Sequence, residues 1–197
     1  MPRLRFKFNI EKFIDVMVFF AERIEDLSTL KAAKLLYLAD RAHLLKYGRP
    51  ILGDWYACME HGPVPSQSYD LLKEVRDTDR SFELSGSALV KKHLRVEQIP
   101  GDFPVFRSNN STSLDALSES EQEIIQEIVN SYGEKKASYL VSLTHDHKGW
   151  KECFRNDEHV LPYEKFFDDE PIEPAFQELI RSEQENREIV DWLISGE

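Results

Sequence analysis

Leu30-Lys-Ala-Ala-Lys-Leu-Leu-Tyr-Leu-Ala-Asp-Arg-Ala-His-Leu-Leu-Lys-Tyr47 is the stretch that decides the fold. At about 100° per residue, Leu35, Leu36, Tyr37, Leu38 and Ala39 point in almost every direction around a helix, so the segment needs protein on all sides. Ser28 and Thr29 stand where an N-cap is wanted, while Gly48 and Pro50 stop the run. The spacing predicts a central helix over residues 30–47. Lys31, Lys34 and Arg41 share one sector of it. Asp40 projects among Ala33, Leu36 and Leu44, where a carboxylate must be held by hydrogen bonds because burial without partners is expensive.

On the N-terminal side, residues 3–9 alternate with period two and read as a short strand or an extended arm. Phe13, Met17, Phe20 and Ile24 then take up helical spacing over residues 10–24. On the C-terminal side, residues 51–60 read as extended. Gly62-Pro-Val-Pro65 is expected to break all regular structure before Ser66 caps a helix over residues 67–77. Between residues 84 and 105, the β-like fragments Ala88-Leu-Val90 and Leu94-Arg-Val96, separated from their neighbours by Gly86 and Pro100-Gly101, predict a small hairpin. Residues 108–113 form a polar loop.

Ser118-Glu-Ser-Glu121 has a capping-box pattern and opens a helix whose stripe of Ile124, Ile125, Ile128, Val129 and Tyr132 ends at Gly133. Residues 137–145 predict a further short helix. The fold class is mainly α with small β elements (α+β): a compact helical domain over residues 1–165 with a short hairpin, and a C-terminal helical appendage over residues 166–197. In that appendage Asp168-Asp-Glu170 and Pro171-Ile-Glu-Pro174 form an acidic linker. A last helix over residues 175–194 follows, with Phe176, Leu179 and Ile180 near one end and Ile189, Val190 and Leu193 near the other. Its two apolar patches suit a partner, the parent domain or a second copy in a homo-oligomer.

A chain of 197 residues with 41% hydrophobic residues buries one core without staples. The two cysteines, Cys58 and Cys153, lie outside any C-x-x-C spacing, which argues against a disulfide framework or a thiolate zinc site. A reducing, cytoplasmic setting and a soluble protein are expected, since the densest apolar run, Val16-Met-Val-Phe-Phe-Ala21, is too short to span a bilayer. The net charge is −11, spread as +4 over residues 1–50, −2 over 51–110 and −13 over 111–197. That balance repels nucleic-acid phosphates and favours a basic protein partner, although simple solubility also accounts for it.

The chain lacks the phosphate loop G-x-x-x-x-G-K-[ST], the dinucleotide fingerprint, H-E-x-x-H and the G-x-S-x-G elbow, and no catalytic residue, cofactor or metal is expected. Cys58-Met-Glu-His61 brings a thiol, a carboxylate and an imidazole together in sequence. Neighbours so close rarely reach the geometry of a nucleophile and its base, and a strand end explains them. Thr144-His-Asp-His147 places two imidazoles at i and i+2, about 200° apart on a helix, which suits helix-end capping and packing of Trp150 better than a shared ion.

Five blocks in order carry a likeness: Lys34-Leu-Leu-Tyr-Leu-Ala-Asp-Arg41, His43-Leu, Tyr47-Gly-Arg-Pro-Ile51, Gly53-Asp54 and His61-Gly-Pro-Val-Pro-Ser66 leading to Tyr69-Asp-Leu-Leu72. Together they resemble the Panacea domain family, which includes SocA-like antitoxins and phage-associated proteins. Leu117-Ser-Glu-Ser-Glu121, Leu143-Thr-His145 and Trp150 extend the likeness over about residues 10 to 155. The resemblance implies a mainly helical antitoxin that neutralises a cognate protein toxin by direct binding, with family members serving unrelated toxins. The alternatives are an adaptor delivering a toxin to the ClpXP protease, or a phage-associated protein of other binding function.

The recognisable residues are packing and turn residues. Asp40, Arg41, Gly48, Pro50, Gly62 and Trp150 are expected to be structural. Gly62, Pro63 and Pro65 stiffen a turn at low entropy cost, and Tyr56, His61 and Tyr69, with Pro63, Val64 and Pro65, are candidates for an amphipathic partner-binding surface. The same block also serves to hold the first helices together.

Overall fold

The computed structural model describes residues 4–77 and 84–169, with residues 173, 175, 176, 178–180 and 182 of the C-terminal segment. Helix α1 (Ile10–Arg23) starts at Asn9, whose side chain accepts the Lys12 amide at 3.0 Å. Helix α2 (Thr29–Tyr47) is capped by Ser28 and closed by Gly48, which adopts φ +76° as the left-handed residue that ends a helix. Every residue from Lys31 to Asp40 is buried, as a helix apolar all round requires. Residues 4–9 form no strand. They are an extended arm that packs Phe6 on Tyr163 and Phe8 on Phe13, tied in where the Asn9 amide donates to Leu52 O at 2.9 Å.

Strands β1 (Tyr56–Met59) and β2 (Gly62–Pro65) form an antiparallel hairpin, with Tyr56 opposite Pro65 and Met59 opposite Gly62. Gly62-Pro-Val-Pro65 therefore does not break regular structure. A proline φ fits an extended backbone, and β2 lies at the edge of its sheet, where a missing N–H is tolerated. Helix α3 (Ser66–Arg76) follows at once.

The second departure lies at Ala88-Leu-Val90, which belongs to helix α4 (Ser87–His93) and not to a strand. Gly86, at φ +86°, turns the chain into that helix, which buries Ser87 and Val90, so packing overrides the β-branched propensity. The expected hairpin exists one segment later, as β3 (Leu94–Glu97) and β4 (Val105–Ser108).

Helix α5 (Glu119–Tyr132) carries the full capping box, and α6 (Ala137–Asp146) follows. A helix not foreseen in the sequence, α7 (Lys148–Arg155), buries Trp150 and Cys153. A two-residue strand β5 (Val160–Leu161) then adds to β1, giving the order β2-β1-β5, and a 3-10 turn over Tyr163–Phe167 closes this part. The molecule is mainly helical with small antiparallel strands. Helix α2 is its axis, packed by α5, α6, α3 and the inner side of the β1–β2 hairpin, while α1 packs against β4, α4 and α5.

In the C-terminal segment the described residues between 175 and 182 are helical. Ile180 joins the core and Phe176 packs against it, both beside Gly48 at the end of α2. Ile189, Val190 and Leu193 lie outside the described residues.

Candidate functional site

Period-two alternation divides the β1–β2 hairpin into two faces. Tyr56, Pro63 and Pro65 turn inward. Trp55, Ala57, Met59 and Val64 turn outward and floor an open groove of about 590 Å³. One wall is the face of α3 made by Ser66, Tyr69, Asp70, Lys73 and Arg76, spaced as one side of a helix. Leu30 and Ala33 of α2 and the Phe103-Pro104 segment before β4 complete the lining. Leu30 is 37%, Trp55 50%, Met59 54% and Phe103 76% exposed, so large apolar groups from three separate segments meet at one depression. Contiguous apolar surface of this kind marks an interaction site.

The polar residues of the α3 wall already have partners. Lys73 pairs with Asp70 and lies 4.7 Å from the centroid of the Tyr69 ring, and Arg76 pairs with Asp77 at 2.7 and 2.9 Å. His61 and Glu60 sit exposed at the hairpin turn, at the groove's end.

Of the candidate contact residues, His61, Val64 and Tyr69 line the groove, whereas Tyr56, Pro63 and Pro65 are buried on the opposite side of the strands. Tyr56, at 1% exposure, is a core residue. Its hydroxyl donates to Asp40 Oδ2 at 2.8 Å, and the Ile51 and Leu52 amides donate to Asp40 Oδ1 at 2.9 and 2.8 Å. One buried carboxylate thus fastens α2, the segment after Pro50 and β1. Burial pushes the Asp40 carboxyl up to about 7, against the pull of these hydrogen bonds. Asp54 is held the same way, by the Gln67 and Ser68 amides and the Ser68 hydroxyl, which fixes the start of α3 relative to β1.

The other structural candidates also sit at joints. Arg41 donates to Phe166 O at 3.1 Å and faces Asp169, and Pro50 is buried next to the Asp40 tie. Gly62 has φ +94°, and a Cβ there would stand 2.8 Å from Thr144 Oγ1 and 2.9 Å from Lys34 Nζ. Trp150 donates from its indole to Met59 O at 3.1 Å and stacks on His145 with centroids 4.1 Å apart. His147 stands at the N-cap position of α7, but its ring makes no capping bond and pairs instead with the Tyr37 hydroxyl at 3.0 Å, so the two imidazoles of Thr144-His-Asp-His147 serve different neighbours.

Sequence reasoning missed several features. Lys34 is fully buried on α2, donates to Pro63 O at 2.8 Å, and is pulled by burial down to about 7. Cys58 and Cys153, distant in sequence, come together behind β1, where the Cys58 thiol donates to Trp150 O at 3.9 Å and burial, with Cys153 beside it, pushes that thiol up to about 12. A thiol held that far from ionisation is no activated nucleophile. The groove residues Leu30, Trp55, Met59 and Phe103 were also missed. Extending the alternation from Tyr56 to its neighbours finds Trp55 and Met59, whereas Leu30 and Phe103 depend on tertiary placement.

Fold and site together define a mainly helical domain with a small β-hairpin, one face of which the described residues leave open. The model of the SocA-like antitoxin family, Panacea domain, matches residues 33–151, more than half of the chain, and the protein belongs to that family. The matched segment runs from α2 into α7 and contains the whole hairpin and α3. Comparison with curated proteins and with solved structures returned no match. Among the described residues, no helix is long and apolar enough to cross a membrane.

Proposed function

We propose that this protein is the antitoxin of a toxin–antitoxin system, and that it restrains a cognate protein toxin by direct binding in the groove between the β1–β2 hairpin and α3. The observation that carries this is the outward face of the hairpin, where Trp55, Met59 and Val64 form an apolar floor on a member of an antitoxin family. In this proposal the protein performs no catalytic step, and its action is occlusion of the toxin. Membership of the family supports a protein toxin as partner, and the apolar lining supports side-chain burial as the source of affinity.

The test is co-expression with the product of the neighbouring gene, taken as the candidate toxin, read by growth and by co-purification. Because Met59 and Phe103 are exposed, M59D and F103D leave the core intact. Burying a charge opposite an apolar partner costs on the order of 2–4 kcal/mol, or about 30- to 1,000-fold in affinity. The double variant is expected to fold normally and to lose neutralisation. Full neutralisation by that variant would refute the groove as the contact surface. Neutralisation that disappears in a host lacking ClpXP would instead favour delivery to that protease.

A further inference from the structure

We propose that the partner enters this groove as an amphipathic α-helix and not as an added β-strand. The inference rests on the toxin-binding proposal above and specifies what the groove accepts. A partner strand extends a sheet by hydrogen-bonding a free edge. Among the described residues the free edge of this sheet is β2, and there the outward-pointing backbone belongs to Pro63 and Pro65: the Cys58 amide donates away from β2, to His159 O at 2.9 Å, so the pairs Cys58–Pro63 and Tyr56–Pro65 are the ones not hydrogen-bonded across the β1–β2 ladder. Neither proline has an N–H to give, and the Pro63 carbonyl is already taken by Lys34. Helices α2 and α6 also pack against β2. The opposite edge, β5, is two residues long.

Among the described residues, what remains open is the face. Behind the hairpin Tyr56 packs on Tyr37 of α2 and Cys58 lies against Trp150 of α7, and in front is the groove, so a helix laid on Trp55, Ala57, Met59 and Val64 completes a helix–sheet–helix sandwich, the usual way to cover both faces of a sheet. Helix α3, 11 residues long and hence about 16 Å, forms a wall along which a partner helix of similar length lies. The wall's cations are already paired with Asp70 and Asp77, so the groove selects on an apolar stripe at i, i+3, i+4 and i+7 and not on an acidic segment.

The experiment places a photo-crosslinking phenylalanine analogue at Met59, Tyr69 or Phe103 of the full chain, co-expressed with the toxin, and maps the crosslinked toxin residues. The expected result is crosslinks within one toxin segment at spacings of three and four, and at least a tenfold loss of binding when a proline is put in the middle of that segment. Crosslinks at spacings of two, with binding tolerant of the proline, overturn the helix and leave toxin binding in the groove standing. No crosslink from any of the three positions, with neutralisation intact, overturns the groove itself and the helix with it.

Discussion

Asp40→Asn isolates what the buried carboxylate does. The asparagine Oδ1 keeps both backbone donors, Ile51 and Leu52, and its amide faces the Tyr56 hydroxyl, which turns from donor to acceptor. Shape and hydrogen bonds survive while the titration is removed. The folded carboxyl titrates at about 7 against 3.8 for a free one. The folded state therefore holds a proton that the unfolded chain releases, and stability falls as pH rises from about 4 to about 7. Three pH units correspond to about 4 kcal/mol. Urea unfolding of both proteins near pH 4.5 and pH 8 measures the effect. The stability of wild type minus that of Asp40→Asn should drop by about 3 kcal/mol between the two conditions. Asp40→Ala, which strands two amides and equally lacks the titration, should be about 2–4 kcal/mol less stable than Asp40→Asn at both. A difference between wild type and Asp40→Asn that does not move with pH, or an Asp40→Asn protein as weak as Asp40→Ala, refutes this account.

Gly62→Ala should destabilise the fold by about 2 kcal/mol or more, because a positive φ and a Cβ within 3 Å of Thr144 and Lys34 act together; a thermal midpoint unchanged from wild type would contradict this. Cys58 should stay unmodified by iodoacetamide near pH 7.5 in the folded protein and react freely in urea, with rapid labelling of the native protein as the opposing outcome. Ile180→Ala should cost about 2–4 kcal/mol, since Ile180 is buried in the core beside Gly48. Unchanged stability of that variant would mean that the C-terminal segment adds nothing to the parent domain.

The central helix, its caps at Ser28 and Gly48, the capping box at Ser118 and the held position of Asp40 were legible because each is set by local angle and spacing. The Ala88–Val90 segment was misread because a short apolar run has no decisive period and a preceding glycine turn chose the helix. The hairpin was misread for a different reason. Pro63 and Pro65 signal a break in isolation, and only their position at a sheet edge makes them compatible with a strand. With β2 read as a loop, Tyr56 was assigned to the surface and Trp55 and Met59 were passed over. The burial of Lys34 and the meeting of Cys58 with Cys153 involve residues from elements far apart in the chain, which no local pattern encodes.

The two-faced hairpin separates what must stay fixed from what is free to change. Tyr56, Pro63 and Pro65 answer to the interior, through Asp40 and α2, so exchanging them unsettles the whole domain. Their immediate neighbours Trp55, Met59 and Val64 answer only to whatever lies in front of them. On the proposed function, those outer letters are the ones open to rewriting one at a time with the scaffold retained, so that one framework fits a succession of differently shaped partners.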